Sequence, residues 1–209
     1  MPDENRTITF GVVADTHVPD RVKQLSTEML DTFRTLNLDG ILHAGDACTK
    51  QVVKTLEEIA PVTIVRGNRD FLFGLRPPLF EKMEVNGLKL VVAHGHRSLF
   101  HYMIDKLATI QHGYMFSRYY SQLHQDYPDA DIIVFGHTHH QTARWVGGQL
   151  LFNPGVAYPC MYNNFIPQYG TLSITAKGSV RTQFFGLKNR RRSRSKIFKL
   201  INRNFDLKR

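Results

Sequence analysis

The chain has 209 residues, of which 42% are hydrophobic and 22% charged, proportions typical of a globular domain and not of a disordered or fibrous chain. Its two cysteines, Cys48 and Cys160, are too few for a disulfide framework. No apolar run approaches the ~20 residues of a membrane span, and the opening MPDENRT lacks the apolar core of a secretory signal, so we expect a cytoplasmic protein.

The formal charge of +9 lies at one end of the chain. Residues 188–209 contain ten basic residues and one acidic residue, whereas the preceding 187 residues contain 17 of each kind. We therefore expect one domain over 1–186 and a basic tail over 187–209. Part of the tail has the apolar spacing of a short amphipathic helix. Such a tail could bind nucleic acid or an anionic membrane surface, remain solvated, or pack on its own domain.

The first half of the chain alternates between strand and helix patterns. The patterns predict strands over 7–14, 39–44 and 62–66, and helices over 21–36 and 49–60. This alternation is typical of a parallel sheet.

The second half consists largely of hairpin patterns. Alternating apolar runs flank Asn86-Gly87 and Gly147-Gly148, and a third pair of runs lies between 169 and 185. Two mixed sheets packed together, with helices outside, fit the whole order.

The segment over residues 97–127, which follows the first predicted hairpin, reads as two helices separated near Gly113. Its apolar and aromatic stripes favour additional cover for the core. The alternatives are a cap over a functional site or a homo-oligomer surface, since large aromatic residues are frequent in such contacts.

Five strand-like runs end in residue types that bind metal ions. Functional residues of open α/β sheets gather at the carboxyl ends of the strands. Carboxylates, amide oxygens and imidazoles suit Mn, Fe, Co, Ni or Zn, and no thiolate is required. Seven donors are too many for one tetrahedral ion but suit two ions ~3.5–4 Å apart that share a carboxylate and clamp phosphoryl oxygens. The residues are Asp15, His17, Asp46, Asn68, His94, His137 and His139.

Each of these motifs alone is weak evidence, because Gly-Asp occurs in many turns and His-x-His can be a surface pair. All five in one order are specific. The set resembles the motifs of the calcineurin-like metallophosphoesterases, in particular their small single-domain phosphodiesterase branch, over about residues 7–185. The motifs are Asp15-x-His17, Gly45-Asp46, Gly67-Asn68, His94-Gly95-His96 and Gly136-His137-Thr138-His139.

The resemblance implies an α/β fold that is a four-layer αββα sandwich of two mixed β-sheets flanked by helices. It implies two divalent metal ions, with Mn favoured over Fe, Zn, Ni or Co, and a metal-bridging hydroxide that attacks a phosphate ester in line. One ion would be held by Asp15, His17, Asp46 and His139. The other would be held by Asp46, Asn68, His94 and His137, so that Asp46 is the bridge.

Arg69 departs from the family pattern, in which larger members have a histidine after Gly-Asn. Arginine cannot act as a general acid, because its pKa exceeds ~12. It can bind a phosphate oxygen, which would place Arg69 with Asp46, Asn68 and His94 among the catalytic residues. The alternative is a salt bridge to Asp70 or another neighbour.

Three functions fit the sequence. The favoured one is a metal-dependent phosphodiesterase acting on a phosphate-ester substrate. The others are a non-catalytic scaffold of the same fold and a nuclease-like enzyme recruited by the basic tail. Retention of every expected ligand, including His17, argues against the scaffold.

Overall fold

The structure is a computed structural model that describes residues 6–95 and 116–186. His96, the first part of the 97–127 segment and the basic tail from residue 187 onward lie outside the described residues. Within the described ranges, no helix is long and apolar enough to cross a membrane.

Two five-stranded sheets form the centre of the molecule, and each contains parallel and antiparallel pairs. The strands, in chain order, are β1 Ile8–Val13, β2 Gly40–His43, β3 Val62–Ile64, β4 Phe80–Val85, β5 Leu88–Ala93, β6 Ile132–Phe135, β7 Thr142–Val146, β8 Gln149–Asn153, β9 Tyr169–Ile174 and β10 Val180–Phe185. The first sheet has the order β10-β9-β1-β2-β3 and the second has the order β4-β5-β6-β8-β7.

Helices cover the outer face of each sheet. Those that pack there are α1 Thr27–Thr35, α2 Lys50–Glu57 and α4 Phe116–Asp126. The described residues also form the short helix α3 Asn68–Leu72 and a 3₁₀ turn at Met161–Asn163. Met29 of α1 and Leu56 of α2 pack on the first sheet. Leu123 of α4 packs on Ile133 and Phe135 of the second sheet.

A third apolar cluster fills the space between the sheets. Val12 and Leu42 from the first sheet meet Leu90, Ile132 and Phe152 from the second, and all five side chains are almost completely buried. Burial of such side chains stabilises a fold by about 1.5–3 kcal/mol each. The αββα sandwich is therefore confirmed.

The hairpins occur where the turn residues predict them. Asn86 and Gly87 both have positive φ, as do Gly147 and Gly148. Positive φ at both central residues of a two-residue loop matches the twist of the flanking strands. The third predicted hairpin is the antiparallel pair of β9 and β10.

The prediction of a helix over 21–36 is wrong at its start, because α1 begins only at Thr27. Ser26 is the N-cap, and its side chain accepts a hydrogen bond from the Met29 backbone N–H at 3.3 Å. Val22 and Leu25 precede the helix but still pack in the apolar cluster beneath it. Their burial produced a helix-like apolar pattern in a segment that is not helical.

The described part of the 97–127 segment covers the core, as the sequence favours. Phe116, Tyr120 and Leu123 of α4 pack on the outer face of the second sheet. Tyr119 of the same helix lies with its ring 6.4 Å from that of His137, so the segment also approaches the predicted site. A homo-oligomer surface over 97–127 stays a prediction.

Candidate metal centre

The carboxyl ends of β1, β2, β5 and β6 meet at one edge of the sandwich. Asp15 follows β1 after one residue, Asp46 follows β2 after two, and His94 directly follows β5. All three side chains are buried. Parallel β1–β2 and β5–β6 pairs place these ends side by side, which is why residues far apart in sequence lie together.

One group of potential ligand atoms comes from Asp15, Asp46 and His94. The Nε2 atom of His94 lies 3.6 Å from Asp46 Oδ2 and 4.0 Å from Asp15 Oδ1. Asn68 brings its Oδ1 to 3.2 Å from the same nitrogen. Asn68 is the first residue of α3, so the Gly67-Asn68 turn delivers the amide to this group.

A second group comes from Asp15, His17 and His139. His139 Nε2 lies 3.4 Å from Asp15 Oδ1, and His17 Nε2 lies 3.9 Å from it. The nitrogen of His17 is also 3.6 Å from Asp46 Oδ2. Asp46 Oδ2 is therefore equally distant from the Nε2 atoms of His17 and His94. Asp15 Oδ1 lies within 4.0 Å of the Nε2 atoms of His17, His94 and His139. Each carboxylate is thus close to histidines of both groups.

His137 lies beside these groups through its ring. Its centroid is 5.1 Å from that of His94, in an edge-to-face arrangement. Its backbone N–H donates to Asp15 Oδ2 at 3.0 Å. None of the three groups of candidate ligand atoms found among the described residues includes a nitrogen of His137. Its expected role as a ligand rests on the sequence motif.

Hydrogen bonds orient two of the imidazoles. The Nδ1 atom of His94 lies 2.7 Å from the carbonyl oxygen of Ala44, and that of His17 lies 3.3 Å from Asp20 Oδ2. A ring that donates from Nδ1 to a carbonyl or carboxylate carries its lone pair on Nε2, which is the usual arrangement of metal-binding histidines. In both residues, Nε2 is the atom directed at the carboxylates.

Two polar atoms at the centre lack hydrogen-bond partners in the described part of the chain. Asp15 Oδ1 and His17 Nε2 are buried and accept or donate no hydrogen bond within the described residues. Buried polar atoms without partners are costly and rare. The Nε2 lone pair of a neutral His94 would moreover face oxygen acceptors of Asn68 and Asp46. A cation relieves each of these conflicts, so the donors present fit divalent metal ions.

The pKa values reflect the crowding of charge. Burial raises the pKa of Asp46, and the adjacent Asp15 carboxylate acts in the same direction. Burial also raises the pKa of Asp15, but His139, His94 and His17 outweigh it and hold that pKa below its usual range. Burial lowers the pKa of His17, which favours the neutral ring that binds metal.

The backbone at the site is unusual. Five of the seven predicted ligands have positive φ, a conformation that non-glycine residues seldom adopt and that occurs chiefly at functional sites. They are Asp15, His17, Asp46, His137 and His139, with φ of 52°, 50°, 60°, 67° and 58°.

Two glycines of the motifs are required by close packing. A Cβ at Gly45 would lie 2.6 Å from His94 Nδ1, and φ there is +89°. A Cβ at Gly67 would overlap the backbone and carboxylate of Asp46. The Gly-Asp and Gly-Asn pairs thus let two loops approach closely enough to bring their polar side chains together.

Asp70 is a site residue that the sequence did not single out for this role. It is completely buried, and its carboxylate accepts hydrogen bonds from the backbone N–H groups of Asp46 (2.9 Å), Cys48 (2.7 Å) and Gly67 (2.7 Å). It therefore joins the loop after β2 to the loop after β3. The only local signal is its position two residues after Asn68 at the start of α3.

Arg69 forms its ion pair with Asp20, not with Asp70. Its Nη1 lies 3.8 Å from Asp20 Oδ2, and its backbone N–H donates to Asp46 Oδ1 at 2.7 Å. Asp20 also pairs with Arg21 and accepts from His17. The guanidinium is partly exposed, so Arg69 lies at the rim of the site, where it can contact a ligand.

Asn153 supports the loop that carries His137 and His139. Its side-chain amide donates to the Gly136 carbonyl at 2.8 Å and lies 3.1 Å from Thr138 Oγ1. Its Oδ1 accepts from the Gly155 backbone N–H at 2.8 Å. The Asn153-Pro154-Gly155 turn therefore holds the His137–His139 loop in place.

Comparison with known proteins agrees with this fold. The profile of the calcineurin-like phosphoesterase superfamily domain matches residues 8–177, and the chain belongs to that superfamily. A probable metallophosphoesterase of Methanothermobacter thermautotrophicus is 32% identical over 146 residues, which is 70% of this chain and 75% of that protein.

Two solved structures share the fold. Vacuolar protein sorting 29 from Cryptosporidium parvum superposes with a TM-score of 0.66 at 20% identity, over 87% of this chain and 99% of that one. An archaeal phosphodiesterase superposes with a TM-score of 0.56 at 22% identity, over 85% of this chain and all of that one. At these identities the likeness concerns the fold alone.

Proposed function

We propose that this protein is a phosphodiesterase that requires two divalent metal ions. The observation that carries the proposal is the pair of buried carboxylates, Asp15 and Asp46, whose oxygens lie 3.4–4.0 Å from three imidazole nitrogens. The proposed ligands are those expected from the sequence: Asp15, His17, Asp46, Asn68, His94, His137 and His139. Oxygen and imidazole donors without thiolate suit Mn, Fe, Co, Ni or Zn, and of these we propose Mn.

The residues of the chain contribute orientation and binding. Bound divalent ions would polarise the phosphoryl oxygens and lower the pKa of the attacking water. Asp20 and the Ala44 carbonyl hold the rings of His17 and His94 so that Nε2 of each is directed inward. Arg69, at the rim, is placed to donate hydrogen bonds to a phosphoryl oxygen as charge grows on it.

The charge at the rim supports a diester more than a monoester. Arg69 and Arg21 are the basic side chains that the structure places beside Asp20, and both share its single carboxylate. A phosphodiester carries one negative charge and a monoester close to two, so the lightly basic rim suits the diester. The archaeal phosphodiesterase of the same fold is consistent with this choice.

The direct test is a metal-reconstitution assay on matched substrates. We expect chelator-treated protein to be inactive, and added Mn to restore hydrolysis of bis(p-nitrophenyl) phosphate to a higher kcat/KM than that of p-nitrophenyl phosphate. Elemental analysis should give two ions per chain. A faster monoesterase reaction would refute the diester preference. Failure of every divalent metal to restore hydrolysis would refute the proposal that the protein is a metal-dependent enzyme.

Replacing Arg69 by Ala is expected to raise KM for the diester, because the substitution removes a charged donor to phosphate. A hydrogen bond to a charged group contributes about 1.5–3 kcal/mol, so kcat/KM should fall roughly ten- to a hundred-fold. The measurement is steady-state kinetics at saturating Mn. Arg21→Ala is the matched control, since it also breaks an ion pair to Asp20. Equal kinetics of the two variants would show that Arg69 only neutralises Asp20.

The second candidate function is a protein-interaction scaffold. The observation in its favour is an exposed apolar surface on and beside α3, formed by Phe71, Leu72 and Phe73. The clustering of the seven donors, five of which are buried, supports the enzyme instead. The basic segment 188–209, in either case, is proposed to attract nucleic acid or an anionic membrane surface.

A further inference from the structure

A loop with exposed apolar side chains lies next to the candidate metal centre. It spans residues 158–165 and contains the 3₁₀ turn. Met161, Tyr162 and Phe165 are 81%, 68% and 67% exposed. Single exposed apolar residues are ordinary, but two exposed aromatic rings, Tyr162 and Phe165, within four residues at the edge of a site suit the binding of a ligand.

The loop is held rigidly by Asn163. The side chain of this buried residue donates to the carbonyls of Val156 (3.1 Å) and Tyr158 (2.7 Å) and accepts from the Cys160 N–H (2.9 Å). The Ala157 N–H donates to the Ala14 carbonyl, directly before Asp15. The exposed rings are thus presented on a fixed backbone, which reduces the entropy lost when they bind a ligand.

Two tyrosines of the loop approach the imidazoles differently. The ring of Tyr158 lies 5.2 Å from that of His17 and is partly buried, and this burial raises the pKa of Tyr158 to about 12. Tyr162 lies 5.8 Å from the ring of His139 and keeps most of its surface in solvent. Of the two rings, Tyr162 therefore offers the exposed face to a group attached to a phosphate at the metal centre.

We propose that Tyr162 is a stacking platform that gives the enzyme a preference for phosphodiesters bearing a nucleobase. This inference rests on the proposed function and adds the substrate class. An aromatic ring with a free surface stacks on any base, because every base has a π-face. The phosphate would be held by the metal centre and the base by the ring.

The test compares two substrates that share one leaving group. Thymidine 5′-(p-nitrophenyl phosphate) and methyl p-nitrophenyl phosphate both release p-nitrophenol and differ only in the group that is retained. Loss of one base–aromatic contact costs about 1–3 kcal/mol, so Tyr162→Ala should lower kcat/KM for the thymidine ester about ten-fold. We expect the methyl ester to be hydrolysed at the wild-type rate and Tyr162→Phe to behave as wild type on both substrates.

Met161→Ala is the control for damage to the loop, since it removes a neighbouring exposed side chain of the same turn. We expect it to leave both reactions unchanged. If Tyr162→Ala lowered kcat/KM equally for both esters, Tyr162 would be a support for His139 and the proposal would be overturned. An unchanged kcat/KM for both esters would also overturn it. If wild-type protein with Mn hydrolyses neither ester, the proposed function itself has failed.

Two sources of the base can be separated in the same variants. An end-labelled single-stranded oligonucleotide and a 2′,3′-cyclic nucleotide are the probes for polymeric and small nucleotides. We expect Tyr162→Ala to slow, about ten-fold, the cleavage of whichever class the wild type uses. Unchanged cleavage of both probes by Tyr162→Ala would overturn the proposal that Tyr162 stacks on the base.

Discussion

Asp46→Asn is expected to abolish turnover while leaving the fold intact. The substitution removes one negative charge from the point equidistant from His17 and His94, where a shared ligand would act. Since metal ions contribute several kcal/mol of transition-state stabilisation, we expect kcat to fall on the order of a thousand-fold or more. The measurement is diester hydrolysis with excess Mn, together with the metal content of the purified variant.

The folded state should tolerate this change. Burial already disfavours the charged form of Asp46, and an Asn oxygen can still accept the Arg69 backbone N–H. The melting temperature of the metal-free variant is therefore expected to equal or exceed that of the wild type. Asp31→Asn, at an exposed carboxylate paired with Arg34, is the control for loss of a charge. Near-normal turnover of Asp46→Asn would refute the bridging role.

Asp70→Asn is expected to reduce both stability and metal affinity. The Asp70 carboxylate accepts three backbone N–H groups, and the amide of Asn would present a donor to at least one of them. An unsatisfied buried group costs about 1–3 kcal/mol, and the loss of hydrogen bonds to a charged carboxylate adds to that cost. We therefore expect the free energy of unfolding to fall by about 3 kcal/mol. For a chain of this size the melting temperature should fall roughly 6–12 °C.

Metal affinity should fall about 10- to 100-fold, as it does when residues that orient ligands are changed, because Asp70 holds the backbone of Asp46. Titration with Mn by calorimetry would measure it. Asp131→Asn is the matched control, since its carboxylate also accepts a backbone N–H, from Lys89, but away from the site. If Asp70→Asn lost stability but kept its metal affinity, Asp70 would support the fold without positioning Asp46.

The αββα architecture could be predicted because its signals are local. Asn86-Gly87 and Gly147-Gly148 impose two-residue turns, and the alternation of strand and helix before them implies parallel pairing. The prediction of the first helix failed at its start, because the same apolar spacing can arise from a helix face or from a packed turn. Val22 and Leu25 are buried as a helix face would be, but the Ser26 cap starts the helix after them. Burial alone cannot distinguish a helix from a packed turn.

The predicted site residues were accessible from the sequence for one physical reason. A strand that is buried on both faces is apolar, so the first polar residue after it stands out, and parallel strands bring these residues to a common edge. Asp15, Asp46 and His94 could be grouped on that basis before any coordinates. The tertiary structure then placed their side-chain atoms within 4.8 Å of one another.

Other features of the site depend on contacts between loops that are distant in sequence. Asp70 receives its role from three backbone N–H groups that converge only when the loops after β2 and β3 pack together. The pairing of Arg69 with Asp20, 49 positions earlier in the chain, is of the same kind. Tyr162 reaches His139 because Asn163 fixes an irregular loop. The sequence by itself determined the hairpin turns, the donor types and their common edge, because periodicity and strand ends are local properties. Only the tertiary structure decided what surrounds the donors, because those contacts follow from how irregular loops pack, and irregular loops leave no periodic pattern in the chain.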